Sequence, residues 1–280
     1  MTSASTPTVP SVALGDGKAI PQLGFGVWQV PDDEAETAVL AAFEAGYRHI
    51  DTAAIYGNER GVGRAIAKSG LDRDEIYITT KLWNSDHLDA ATAYSKSLHK
   101  LGLDTVDLYL VHWAAPPLGT YRQAWEGLVS LHQQGLVRSI GVSNFHQPHV
   151  DQIVADTGVT PVLNQIELHP YLQQRDMRAY NAGHGIVTEA WSPLGQGKGL
   201  LDDPDLAAIA STKGVSPAQV ALAWQLAIGN VVIPKSVTPS RIVENLASVD
   251  VTLTAEEIEQ IEALDRGERF GSDPDTAAFA

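Results

Sequence analysis

At 280 residues, with 44% hydrophobic and 19% charged side chains, the chain can bury a large core as a soluble globular unit without staples. It has no cysteine, which excludes disulfides, thiolate metal sites and a cysteine nucleophile, and fits a reducing cytosol. A net charge of −15 with no basic run argues against nucleic acid, so any phosphate must be gripped by a local pocket.

Residues 1–8 carry no basic segment leading into an apolar stretch, so they read as a disordered tail rather than a secretory signal. No apolar run reaches the roughly 18 residues of a membrane span, and the expectation is a cytoplasmic monomer with no membrane partner. Val12-Ala13-Leu14 and Ala19-Ile20 flank the turn Gly15-Asp16-Gly17-Lys18, which predicts a β-hairpin. After it one pattern repeats: a short apolar run, a polar loop, then an amphipathic stretch. The apolar runs span 23–28, 48–51, 76–81, 106–112, 139–143, 162–168, 186–191 and 231–234. Helices are predicted near 33–45, 59–69, 89–101, 121–134, 148–156, 173–182, 203–227 and 239–247, the last with Thr238 as N-cap and Pro239 at the first helical position. A further helix follows Thr254, which forms a capping-box spacing with Glu257. Residues 267–280 are rich in Gly, Ser, Asp and Ala and read as a loop-like tail.

Near-continuous apolar strands alternating with helices argue for a parallel sheet. Eight such units with no linker between them predict a single-domain (β/α)8 TIM barrel over 1–280, with an N-terminal β-hairpin and a C-terminal extra helix and tail. An open dinucleotide-binding sheet is disfavoured, because Gly24-Phe25-Gly26 and Gly61-Val62-Gly63 each lack the third glycine of the phosphate-binding fingerprint.

In such a barrel, chemistry sits at the C-terminal ends of the strands. Asp51, Lys81 and His112 close three successive strands, and Tyr56 lies five residues beyond Asp51 on a loop short enough to fold back over the same mouth. Singly, each has a structural explanation as a cap, a solvated or satisfied side chain, or core. Together they make a proton-donor system. A free tyrosine has a pKa near 10, so giving up its proton at neutral pH costs about 4 kcal/mol. A lysine cation about 4 Å away offsets roughly that amount at an effective dielectric near 20, while Asp51 keeps the buried ammonium charged. His112 would orient a carbonyl oxygen. A Schiff-base lyase with Lys81 as nucleophile is an alternative on the same barrel. His146 and His149 have i, i+3 spacing, yet they sit at a helix start beside Pro148 and read as solvated side chains rather than metal ligands.

The sequence resembles the aldo-keto reductase superfamily from about residue 12 to 266. The stretches carrying the likeness are Gly24-Phe25-Gly26-Val27-Trp28, Gly46-Tyr47-Arg48-His49-Ile50-Asp51-Thr52-Ala53, Tyr56-Gly57-Asn58-Glu59 and Leu103-Asp104-Thr105-Val106-Asp107-Leu108-Tyr109-Leu110-Val111-His112-Trp113. Gly141-Val142-Ser143-Asn144-Phe145 and Ile233-Pro234-Lys235-Ser236 complete the set, and Ala190-Trp191-Ser192-Pro193-Leu194-Gly195 looks most like the bacterial 2,5-diketo-D-gluconate reductase branch. The resemblance implies NADPH-dependent reduction of aldehydes and ketones, with Asp51, Tyr56, Lys81 and His112 as the catalytic tetrad and Tyr56 as general acid. It places Gly26, Val27 and Trp28 beside the cofactor, Ser143, Asn144 and Gln165 on the nicotinamide carboxamide, and Trp191 on the ring face. Ser192, Leu194, Gln196 and Gly197 would line the pyrophosphate, and Lys235, Ser236, Val237, Thr238, Arg241, Glu244 and Asn245 the adenosine end. Chemistry agrees at that end, since Lys235 and Arg241 flank a helix start and suit a 2′-phosphate. The substrate, a small carbonyl compound, would lie against Trp28, Tyr56, Trp83, His112 and Trp113, with the C-terminal tail near 270–279 as a cover. No metal is implied.

Overall fold

The structure is a computed structural model describing residues 7–279. Residues 1–6, most of the expected disordered tail, and Ala280 lie outside the described residues.

The hairpin forms where the Gly/Asp turn predicts it: β1 (Ser11–Ala13) pairs antiparallel with β2 (Ala19–Pro21). Eight parallel strands follow in sequence order: β3 (Phe25–Gly26), β4 (His49–Asp51), β5 (Tyr77–Leu82), β6 (Leu108–Val111), β7 (Ser139–Ser143), β8 (Leu163–Glu167), β9 (Val187–Trp191) and β10 (Val231–Val232). The sheet closes on itself between its first and last strands. Gly24 N–H donates to Val232 O (2.9 Å), Val232 N–H to Gln22 O (2.9 Å) and Gly26 N–H to Pro234 O (3.0 Å). These two strands are shorter than the apolar runs 23–28 and 231–234. Pro234 has no N–H to extend the ladder, and the chain turns away after Gly26 through Gln29 at φ 59°.

Around the barrel run α1 (Asp32–Ala45), α2 (Glu59–Lys68), α3 (Ala90–Leu101), α4 (Tyr121–Gln133), α5 (Gln147–Thr157), α6 (Arg175–Gly183), α7 (Pro204–Lys213), α8 (Pro217–Ala227), α9 (Pro239–Leu246) and α10 (Ala255–Glu262). The single helix expected over 203–227 is two helices. Gly214 ends α7 at φ 68°, a left-handed conformation that costs glycine little, and Ser216 then starts α8 with a capping box to Gln219. The Thr254–Glu257 capping box opens α10 as its spacing predicts. Thr238 stands at the N-cap of α9 but makes no side-chain cap bond, so the first-turn N–H groups there are left without a side-chain partner.

The hairpin floors the barrel. Leu14 and Ile20 pack with Leu108, Leu110, Leu163 and Val231 in one buried cluster, and Ser139 donates to Asp16 at 2.6 Å while Lys18 donates to Arg138 O. With the N-terminal face sealed, the open end is the C-terminal one, where the strand-end polar residues lie. Among the described residues, no helix is long and apolar enough to cross a membrane.

Candidate active site

The structure brings the four strand-end residues together. Lys81, fully buried in β5, donates to Asp51 Oδ1 at 2.6 Å and to Thr52 O at 3.0 Å, and its Nζ lies 5.2 Å from the centre of the Tyr56 ring. His112 follows β6 directly, and its ring meets that of Tyr56 edge-on at 5.6 Å. Lys81 sits one residue inside its strand rather than at the end, because β5 extends to Leu82.

Burial alone disfavours the Lys81 charge, but its neighbours, Asp51 foremost, together outweigh this and hold the ammonium above its ordinary pKa. A lysine so protonated and paired is not the free amine that a Schiff-base lyase needs. Burial and then the Lys81 charge push His112 well below the ordinary imidazole range, so the ring is neutral. Its Nδ1 is buried without a hydrogen-bond partner among the described residues. For Tyr56 the balance differs from the sequence expectation. Burial raises its pKa to about 12 and the Lys81 charge offsets this only in part, so the net shift is upward. Burial is the main reason, and Asp51, needed to keep Lys81 charged, adds to it by opposing a phenolate.

The loop bearing Tyr56 is anchored by Asn58, which is fully buried. It accepts from Thr52 Oγ1 (2.8 Å) and donates to the carbonyls of Val27 (2.8 Å) and Val30 (2.9 Å). Glu59, next in the chain, is buried and accepts from Thr80 Oγ1 and Lys100. The β3 and β4 loops are thereby tied together.

Ser143, Asn144, Gln165 and Trp191 form one connected group. Asn144, held at φ 58°, donates to Ser143 Oγ (3.0 Å) and to His112 O (3.1 Å) and accepts from Trp191 Nε1 (2.8 Å), while Ser143 donates to the backbone carbonyl of Gln165 (3.0 Å). Beyond Trp191, the loop through Ser192, Leu194, Gln196 and Gly197 is a tight turn with left-handed residues at 192, 195, 196 and 197. Gln196 donates to Ser192 Oγ at 2.7 Å.

After β10, Ser236 and Asn245 are buried, Glu244 is half-buried, and Lys235, Val237, Thr238 and Arg241 are exposed. Neither Lys235 nor Arg241 makes a salt bridge or side-chain hydrogen bond among the described residues, although the chain carries 34 carboxylates. Two free cations beside an uncapped helix start form a site suited to an anion.

The aromatic wall is only partly assembled from the predicted residues. Trp83 meets His112 edge-on at 5.2 Å and Trp113 is buried, whereas Trp28 stands 43% exposed on the rim. The missing piece is Phe279, which stacks on Trp83 (5.7 Å, 4°) and meets Trp113 edge-on (5.0 Å) while its carbonyl accepts from Asn84 at 2.7 Å. The tail therefore crosses the mouth. Buried Glu167 docks it by accepting from the N–H groups of Phe270 (2.6 Å) and Gly271 (2.9 Å), and His146 bonds Asp275 at 2.8 Å. Gly271 lies so close to Trp191 that a Cβ would stand 2.5 Å from its ring. Phe279 belongs to the 270–279 tail expected as a cover, whereas Glu167, Glu189 and Asn58 were not singled out from sequence. Only Asn58 had a visible signal, within Tyr56-Gly57-Asn58-Glu59.

The aldo/keto reductase family model matches residues 21–266. The chain is 51% identical over 272 residues to methylglyoxal reductase DkgA of Escherichia coli, covering 97% of this chain and 98% of the relative. It is 53% identical over 278 residues to an aldo-keto reductase of Mycolicibacterium vanbaalenii, covering 99% of each. Among solved structures, the Gox0644 D53A mutant in complex with NADPH superposes with a TM-score of 0.93 at 44% identity, over 98% of this chain and all of that one. A closed parallel barrel with this mouth and matches over nearly the whole length leave one assignment: the chain belongs to the aldo/keto reductase family.

Proposed function

We propose that this chain reduces small aldehydes and ketones, 2-oxoaldehydes foremost, to alcohols with NADPH. The observation that carries this reading is the buried Asp51–Lys81 pair beneath Tyr56, opposite a neutral His112. When bound, NADPH supplies the hydride. The residues present fit it: free Lys235 and Arg241 beside the open start of α9 would take the 2′-phosphate, the turn from Ser192 to Gly197 the pyrophosphate, and Ser143, Asn144 and Gln165 the carboxamide.

Tyr56 then has the proton-donor role. With its pKa near 12 it is fully protonated at neutral pH, and the Lys81 charge stabilises the phenolate left after transfer. His112, neutral and with its ring unpaired, holds the carbonyl oxygen toward the Tyr56 hydroxyl. Trp83, Trp113 and Phe279 narrow the slot and exclude water, which favours a small substrate such as the one named for the DkgA relative.

Tyr56→Phe removes the donor and leaves the ring. Reduction of methylglyoxal should fall about 10²–10⁴-fold, the usual contribution of a general acid, while NADPH still binds. Retained turnover overturns the donor role.

A further inference from the structure

A second carboxyl lies next to the Asp51–Lys81 pair and takes no part in the chemistry above. Glu189 is the third residue of β9, fully buried, flanked by Gln165 of β8 on one side and Val231 of β10 on the other. Its Oε2 accepts from Gln165 Nε2 at 2.7 Å, and the same nitrogen donates to Asp51 Oδ2 at 2.8 Å. Among the described residues its Oε1 has no hydrogen-bond partner, and His49 Nε2 is 3.9 Å away.

Two consequences follow from elementary chemistry. An amide nitrogen has two hydrogens, and both are spent on carboxyl groups. The Gln165 amide is thereby fixed, since reversing it would set its carbonyl oxygen against the Asp51 carboxylate. The charges, in turn, do not balance. Lys81 is one cation for two buried carboxyls, and His49 is no second one, because burial and Lys81 hold its pKa down to about 3. The neutral acid of Glu189 is therefore favoured: burial, then Asp51, raise its pKa to about 8. The ionisable groups facing it are Asp51 and His49 from β4, Lys81 and Tyr77 from β5, and Tyr56 from the loop after β4. The β8 and β10 neighbours, Gln165 and Val231, do not titrate.

We infer that Glu189 is a positioning residue: with Asp51 it locks the Gln165 amide oxygen away from the carboxyls and toward the nicotinamide carboxamide, and its ionisation sets the balance of affinity between the oxidised and reduced cofactor. This rests on the cofactor reading above. The oxidised ring is cationic and the reduced ring neutral, so a carboxylate formed beneath the mouth favours the oxidised form. A carboxyl with a purely packing role has no such effect.

The test is fluorescence titration of the full chain with NADPH and with NADP+ between pH 6.5 and 9.5. Taking the ratio of the two dissociation constants cancels titration of the shared 2′-phosphate. In the wild type, the preference for NADP+ should grow at least about fivefold across that range. Glu189→Gln keeps an acceptor for Gln165 and should hold NADPH within about twofold of wild type, with a ratio independent of pH. Glu189→Leu should also give a flat ratio and bind NADPH about fivefold more weakly, the loss of one neutral hydrogen bond. If the leucine variant does not fold, the wild type and Glu189→Gln carry the test. A flat wild-type ratio overturns the inference, and so does a Glu189→Gln variant that keeps the wild-type slope. A wild type that binds NADPH at no pH overturns the cofactor reading first, and this inference with it.

Discussion

The two ends of the barrel mouth are built on opposite electrostatic plans. Around Lys81 the polar groups are buried and already linked in one hydrogen-bonded chain: Lys81 to Asp51, Asp51 to Gln165, Gln165 to Glu189. Around Lys235 and Arg241 the cations are exposed and unpaired, beside a helix start that lacks a side-chain cap. The first region is organised before any ligand arrives, as suits groups that must act on a developing charge without moving. The second is completed only by an anion. Removing a residue from the first should damage the fold and the chemistry together, whereas removing one from the second should damage binding alone.

The sharpest way to break this contrast is Lys81→Met. It strands the Asp51 carboxylate in the interior, and such a broken buried pair costs about 3–5 kcal/mol. Urea denaturation should show that loss, with turnover falling at least as far as in Tyr56→Phe. A variant as stable as wild type would mean that Asp51 is not held as an ion by Lys81. Arg241→Ala should leave stability unchanged and raise the NADPH dissociation constant about tenfold, the worth of one charge-assisted contact, with little effect on NADH. Equal effects on both cofactors would remove Arg241 from the 2′-phosphate. The smallest effect tests the boundary between the regions and the substrate. Phe279→Ala opens the slot between Trp83 and Trp113 and should raise KM for methylglyoxal about threefold, since one aromatic pair is worth about 0.5–1.5 kcal/mol. Bulkier aromatic aldehydes should gain in kcat/KM, and a uniform loss for all substrates would argue that Phe279 only holds the tail.

The barrel and its mouth were legible because both rest on short-range regularities. The eight apolar runs alternate with helices at short spacing, and Asp51, Lys81 and His112 fall at or within one residue of the ends of β4, β5 and β6. Capping chemistry was equally local: Thr254 and Glu257 start α10 as their spacing suggests. The break between α7 and α8 was local too, marked by Gly214 and Ser216, but the apolar periodicity runs through it and hides it. The rest was illegible for a different reason. Glu167 and Glu189 sit inside apolar runs, and nothing in a run tells which polar member is buried or what it bonds. Phe279 reaches Asn84 across 195 residues, a contact with no sequence signature. Tyr56 shows the same limit in energy: its partners were foreseen, but the sum of burial, Lys81 and Asp51 needed their depths.

The hairpin that floors the barrel also constrains the order of assembly. Lys18 and Asp16 find their partners at Arg138 and Ser139, and Gln22 donates to the carbonyls of Leu226 and Asn230. As a chain emerges from its N-terminus, the turn of this segment lacks its partners at Arg138 and Ser139 until more than a hundred further residues exist, and its last partners lie over two hundred residues on. The part made first is thus among the last to be fixed, and late closure of that kind slows folding through the entropy of the long loops it must span.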